Sequence, residues 1–134
     1  MDCLFCKIIS GEIPSQKVYE DANTFAFLDI KPVNPGHTLV LPKNHARNIF
    51  DISANDMAAV METARMLAPK LREATNADGL NVHINNEPAG GQLIFHSHVH
   101  LIPRFEGDGY EHWLGKEVGA AELEDLRKKI TALL

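Results

Sequence analysis

Basic charge is scarce in this 134-residue chain. Thirteen Lys and Arg stand against eighteen Asp and Glu, a formal net charge of −5. A general binder of nucleic acid or of an anionic membrane surface carries a basic patch, so this balance argues against both. Long apolar runs are missing as well, and nothing approaches the roughly 18 residues of a transmembrane span. The opening Asp2-Cys3-Leu4-Phe5-Cys6-Lys7 offers no basic stretch followed by an apolar one. No secretory signal is therefore expected, and the cytoplasm is the expected compartment. Cysteine is reduced to Cys3 and Cys6. Cytosolic disulfides are rare, so a Cys-x-x-Cys there points to metal or redox chemistry before it points to a staple. A glycine-rich Walker-type loop ending in lysine is absent. Repeats, low-complexity tracts and linkers are absent too, and the length suits one domain over residues 1–134.

Against these shortages stand seven histidines. The elements that carry them follow from local patterns. Leu4 to Ser10 reads as one or two helical turns ending at Gly11. Lys17–Glu20 and Thr24–Leu28 read as a hairpin, with Phe25 and Phe27 on one face and Ala26 and Leu28 on the other. Pro32 to Gly36 is a loop, and His37–Leu41 a third strand closed by Pro42. Ser53 caps a long helix, with Asp56 in the capping-box position. Met57, Val60, Met61, Ala64, Leu67, Ala68 and Leu71 form its core stripe, and Pro69 is expected to kink it or split off its last turn. Leu80–Asn85 alternates as a strand. Leu93–Pro103 reads as the central strand, and Glu122–Leu134 as a C-terminal helix. The sum is an α+β domain on a mostly antiparallel, five-stranded sheet, with one long central helix and a C-terminal helix.

His96-Ser97-His98-Val99-His100 is the most informative stretch. In a strand the three imidazoles share one face, and the outer two stand roughly 13 Å apart at the backbone. They cannot easily share one metal, whose nitrogen ligands lie at about 2.0–2.1 Å. Three uses stay open: a solvated polar face, a His-x-His metal site on His96 and His98, or a nucleophile at the middle position. Imidazole is neutral near pH 7 and forms covalent intermediates with phosphorus.

The segment His96-Ser97-His98-Val99-His100-Leu101-Ile102, followed by Pro103-Arg104, resembles the signature of the histidine triad (HIT) family of nucleotide hydrolases and transferases. Phe5-Cys6-Lys7-Ile8-Ile9, Gly11-Glu12-Ile13-Pro14, Tyr19-Glu20-Asp21, Phe27-Leu28-Asp29-Ile30, Gly36 to Lys43 and Ala89-Gly90-Gly91-Gln92 continue the match in order. They are most similar to the Hint branch. The resemblance implies a HIT-like fold and a nucleophile, His98, that attacks the α-phosphate of a purine nucleotide and releases AMP. The other ring nitrogen of His98 is expected to donate to a backbone carbonyl. His100 is implied as a phosphate contact and His37 as a supporting fourth histidine. Gly91, Gln92 and Leu93 would form the turn at the phosphate. Leu93 departs from the serine common in Hint proteins, so a hydroxyl near the leaving group is missing. Ile13, Phe27 and Ile30 would line the purine slot. Asp29 would hold the ribose, and Asn85, or Asn86 if the turn is aligned one residue differently, the sugar–phosphate side.

The resemblance also implies a structural zinc on Cys3, Cys6, His45 and His96, no catalytic metal, and a homodimer with the long helix and central strand near its two-fold axis. His83 receives no role, and His112 beside Trp113 is left as a surface histidine or a leaving-group contact. A purine nucleoside phosphoramidate is the expected substrate. A dinucleoside polyphosphate hydrolase and a zinc-stabilised nucleotide-binding module without turnover remain as alternatives, beside the His-x-His metalloenzyme.

Overall fold

In the computed structural model, which describes residues 2–134, five strands pair antiparallel in the order β1-β2-β3-β5-β4. They are β1 (Lys17–Glu20), β2 (Thr24–Leu28), β3 (Thr38–Pro42), β4 (Gly79–Ile84) and β5 (Val99–Arg104). The helices are α1 (Leu4–Ile9), α2 (Ala54–Thr75) and α3 (Ala120–Thr131). The chain leaves β3 through α2, returns on the edge strand β4, and inserts β5 between β4 and β3.

Both faces of the inner strands are covered, which explains why β2 and β3 lack polar alternation. Ala26, Val40, Val99 and Leu101 face α2 and meet Val60, Ala64, Leu67 and Leu71. Phe25, Phe27, Leu39 and Leu41 face the other way and meet Phe5, Ile8 and Cys3 of the α1 segment. Burying each such side chain contributes about 1.5–3 kcal/mol. Ser53 caps α2 by accepting from the Asp56 N–H, and Asn76 ends it in the left-handed conformation. The methionine part of the expected stripe is corrected. Met61 is 41% exposed, whereas Thr63 is buried and shares a hydroxyl contact of 2.8 Å with Thr24. Pro69 does not split the helix, which runs on to Thr75. Its last turn is held to the sheet by buried Leu71.

Two further expectations change. The central strand starts at Val99, not Leu93. The Ser97 N–H donates to the Ala46 carbonyl at 2.7 Å, and the His96 carbonyl is taken by a side chain. These groups are therefore unavailable for ladder pairing. The C-terminal helix forms, yet it buries none of its residues. Among the described residues, no helix is long and apolar enough to cross a membrane.

Candidate active site

The face of the sheet toward α1 opens beside that helix into a cleft of about 440 Å³. Its walls bring together Ile13, Phe27, Asp29, Ile30, Asn85, Gly91, Leu93, His98 and His100, all named from sequence. His37 ends the loop before β3 and reaches the cleft through His100. His98, just before β5, and His100 within it flank Val99, their ring centroids 4.8 Å apart. Phe5 of α1 meets the His98 ring edge-on at 5.0 Å.

The partners around each ring set where its proton sits. The Val33 N–H donates to His37 Nδ1 at 3.1 Å. The neutral His37 ring therefore carries its hydrogen on Nε2, which donates to His100 Nδ1 at 2.9 Å. His100 then carries its own hydrogen on Nε2, a buried atom without a hydrogen-bond partner among the described residues. A second chain runs parallel to the first. His96 Nε2 donates to the Pro42 carbonyl at 2.8 Å, and His98 Nδ1 donates to the His96 carbonyl at 2.6 Å. The lone pair of His98 is thereby fixed on Nε2.

Burial lowers the pKa of His37 and of His98. Burial, with His98, His83 and His37 close by, lowers that of His100 to about 3. At neutral pH the cluster thus offers one uncharged nucleophilic nitrogen beside one unpaired N–H donor. An anion bound between them meets N–H dipoles and no buried cation.

Asp29 divides its oxygens. Oδ1 accepts from the Lys31 N–H at 2.8 Å, and Oδ2 lies 3.7 Å from His37 Nε2. Asp29, His37 and His100 are close enough together to hold an ion. The hydrogen-bond sense just described leaves that trio no free imidazole lone pair: the Val33 N–H holds that of His37 Nδ1 and His37 holds that of His100 Nδ1.

The glycine turn corrects one expectation. Gln92 is 2% exposed and does not line the cleft. Its Nε2 donates to the carbonyls of Arg47 and Ile94, and its Oε1 accepts from Asn48 and from the Glu87 N–H. Gln92 shapes the turn and has no side-chain donor left for a ligand. The Gly91 and Gln92 N–H groups donate to the Pro88 and Glu87 carbonyls. Only the Leu93 N–H of the three remains outside the turn's own bonds. Gly91 holds φ +88° and packs against Asn85. Asn85 faces the cleft, whereas Asn86 binds the Ile49 N–H and the Ile84 carbonyl.

A second cluster lies at the N-terminus of α1. Cys3 Sγ and Cys6 Sγ stand 3.6 and 3.5 Å from His96 Nδ1; His45 Nδ1 is 3.6 Å from Cys6 Sγ and 3.2 Å from His96 Nδ1. A tetrahedral zinc with the usual bond lengths would place S···N edges at about 3.6 Å and N···N edges at about 3.3 Å. The single lone pair of His96 Nδ1 faces three neighbours, which suits one ion better than three hydrogen bonds. His98 is not part of this group, and its Nδ1 is spent on the His96 carbonyl. The rival His-x-His pair is therefore not formed, and Cys3, Cys6, His45 and His96 are the residues placed closely enough to hold one ion.

Sequence reasoning missed Phe5, Leu39, Ile94 and Lys31 in the cleft wall. It also missed His83, whose ring stacks on His100 at 4.7 Å. A signal for His83 existed: it is two residues from Asn85, so in a strand both point to one face. His112 lies in a separate recess with Arg104.

An antiparallel α+β sheet that presents linked imidazoles in an apolar cleft defines a class of histidine-based site. The chain belongs to the histidine triad family of nucleotide-binding proteins and hydrolases, as the HIT domain matches residues 10–107. It is similar to a crystal structure from Streptococcus mutans UA159 at 45% identity, covering 98% of this chain and 84% of that one with a TM-score of 0.93. It is similar to the adenylylsulfatase HINT3 of Arabidopsis thaliana, 41% identical over 80% of this chain and 54% of that protein. A Zn-bound histidine triad family protein from Mycobacterium smegmatis matches at 35% identity, 96% of this chain and 98% of that one, with a TM-score of 0.79.

Proposed function

We propose that this chain, as a single domain, hydrolyses purine nucleotide derivatives at the α-phosphate through a nucleotidyl-His98 intermediate. The observation that carries the reading is the fixed lone pair of His98 Nε2 beside the unpartnered Nε2–H of His100. The lone pair attacks phosphorus, a P–N or P–O bond breaks, and the leaving group departs with the bonding electron pair, taking a proton from solvent where it is basic. Water then cleaves the P–Nε2 bond, releases AMP and restores the imidazole. The His100 N–H and the Leu93 N–H donate to the phosphoryl oxygens as charge grows on them. His37 holds His100 in its donating tautomer. Ile13, Phe27 and Ile30 cover the base, Asp29 accepts from the ribose hydroxyls, and Asn85 contacts the sugar–phosphate side. Gly91 and Gln92 keep the turn in shape.

Zinc is the metal proposed for Cys3, Cys6, His45 and His96, in a closed structural role with no part in the chemical steps. The proposed state is a cytoplasmic homodimer.

The similar adenylylsulfatase adds an adenylyl sulfate to the substrates worth testing, beside AMP–lysine phosphoramidate and diadenosine polyphosphates. AMP release should be lost roughly a thousandfold or more in His98→Ala, and wild type quenched during turnover should carry AMP on His98 by mass spectrometry. Equal AMP release by both proteins would sink the nucleophile. AMP binding without turnover of any of these compounds would leave a binding module.

A further inference from the structure

We infer that His83 is a positioning residue for His100, a fifth imidazole that holds the plane of the phosphate-facing ring. The inference rests on the phosphate-site reading given above. His83 and His100 are cross-strand partners in the β4–β5 pair. Their rings stack with centroids 4.7 Å apart and an interplanar angle of 26°. The edge-strand position explains why His83 can present a flat face there while its other face meets solvent.

The need for such a face follows from how His100 is held. One edge of its ring is tied, through Nδ1, to His37. The opposite nitrogen has no partner among the described residues. A ring tied at one edge can still swing its free N–H out of the plane needed by a phosphoryl oxygen. His98 meets it only at a tilt of 55°, so it supplies no parallel surface. His83 does. It makes no hydrogen bond to His100, so the contribution is the stacked face and not a proton path. Donors must be held in place before charge develops if they are to stabilise it without reorganisation, which is why a stacking residue outside the cleft wall matters.

The test compares His83→Ala and His83→Phe with wild type in the full chain, after melting curves establish that all are folded. Nitrogen-15 NMR of the histidine side chains reads the tautomer of His100 directly. Wild type should show a protonated Nε2 and an unprotonated Nδ1. His83→Ala should keep that tautomer, which His37 sets, but shift and broaden the His100 Nε2 signal as the ring swings, and His83→Phe, which keeps a flat ring, should restore the wild-type signal. In parallel, kcat for an AMP phosphoramidate should fall about tenfold to a hundredfold in His83→Ala and recover in His83→Phe, with AMP affinity changed by less than about twofold. An unaltered His100 spectrum in His83→Ala overturns the inference, as does a phenylalanine variant that restores nothing. Wild type without turnover defeats the hydrolase reading instead, and the nitrogen spectra still decide the role of His83.

Discussion

An imidazole has two nitrogens, and what each of them does in this protein is settled by backbone atoms. The Val33 N–H, the Pro42 carbonyl and the His96 carbonyl bind His37, His96 and His98 respectively, and through His37 the choice passes to His100. Protonating His37 or His100 would set two hydrogens against each other in these bonds, and burial opposes the charge independently. The consequence for stability has a definite sign. Unfolded histidines take up protons near 6.5, whereas folded His37 resists to lower pH and folded His100 to about 3. Between those values the unfolded chain binds more protons, so stability is full above about 6.5 and falls as the pH drops toward 3. A fully shielded ring would give at most about 1.4 kcal/mol per pH unit, and these rings, which sit beside an open cleft, give less. Urea midpoints of the zinc-loaded protein at about pH 7.5 and pH 5 should differ, the lower pH being the less stable. Equal midpoints would mean that these rings are not held neutral. The rings that do this work were legible in sequence by type and position. The bond from His98 to a backbone carbonyl was implied by the family resemblance and is found; the tautomers of His37, His96 and His100 were not legible, because Val33 and Pro42 act through main-chain atoms that leave no side-chain signal.

At the scale of elements, α1 is only six residues long, too short to hold helical structure without outside contacts. It is held by Phe5 and Ile8 in the core and by the Cys3–Cys6 turn against His96. The ion proposed there would tie α1, the His45 loop and the entrance to β5 at one point. Zinc that binds the folded chain and not the unfolded one stabilises it by about 4 kcal/mol at a free concentration a thousandfold above its Kd. Purified wild type should therefore carry stoichiometric zinc and melt at lower temperature after chelation, and Cys3→Ser should lose both the metal and the chelator response. Wild type purified without metal, melting identically with and without chelator, would remove the site.

The shortened β5 belongs to the same scale. The H-x-H-x-H alternation reads as strand throughout, yet His96 lies outside the ladder. Its carbonyl serves His98 and its ring serves the cysteine cluster. Local periodicity cannot register that a polar residue has been claimed by two other elements.

For the whole molecule, the largest unmet demand is α3. Leu123, Leu126 and Ile130 recur at helical spacing, yet they are 56%, 47% and 60% exposed. They lie near other exposed apolar residues in sequence, among them Trp113 at 98%. A stripe of this kind is stable in water when another surface covers it, which supports the proposed homodimer. Leu126→Glu combined with Ile130→Glu should move the sedimenting species from dimer to monomer while the melting of the sheet changes little. A wild-type monomer at micromolar concentration would refute the dimer, and an unaffected dimer would remove α3 from its interface.

Net charge acts at this scale as well. The value of −5 disfavours a polymeric anion, but a single phosphate needs only a few oriented N–H groups. The sequence by itself determined the residues that gather at the cleft, the class of fold, and the order of segments that marks the family, because periodicity and motif spacing are local properties of the chain. The tertiary structure alone decided which nitrogen of His37, His96 and His100 holds a proton, that Gln92 props the turn, that Asn85 and not Asn86 faces the cleft, and that His83 stacks on His100. Each of those outcomes depends on strand register and on backbone atoms arriving from distant segments, and neither is written in the identity of the residue concerned.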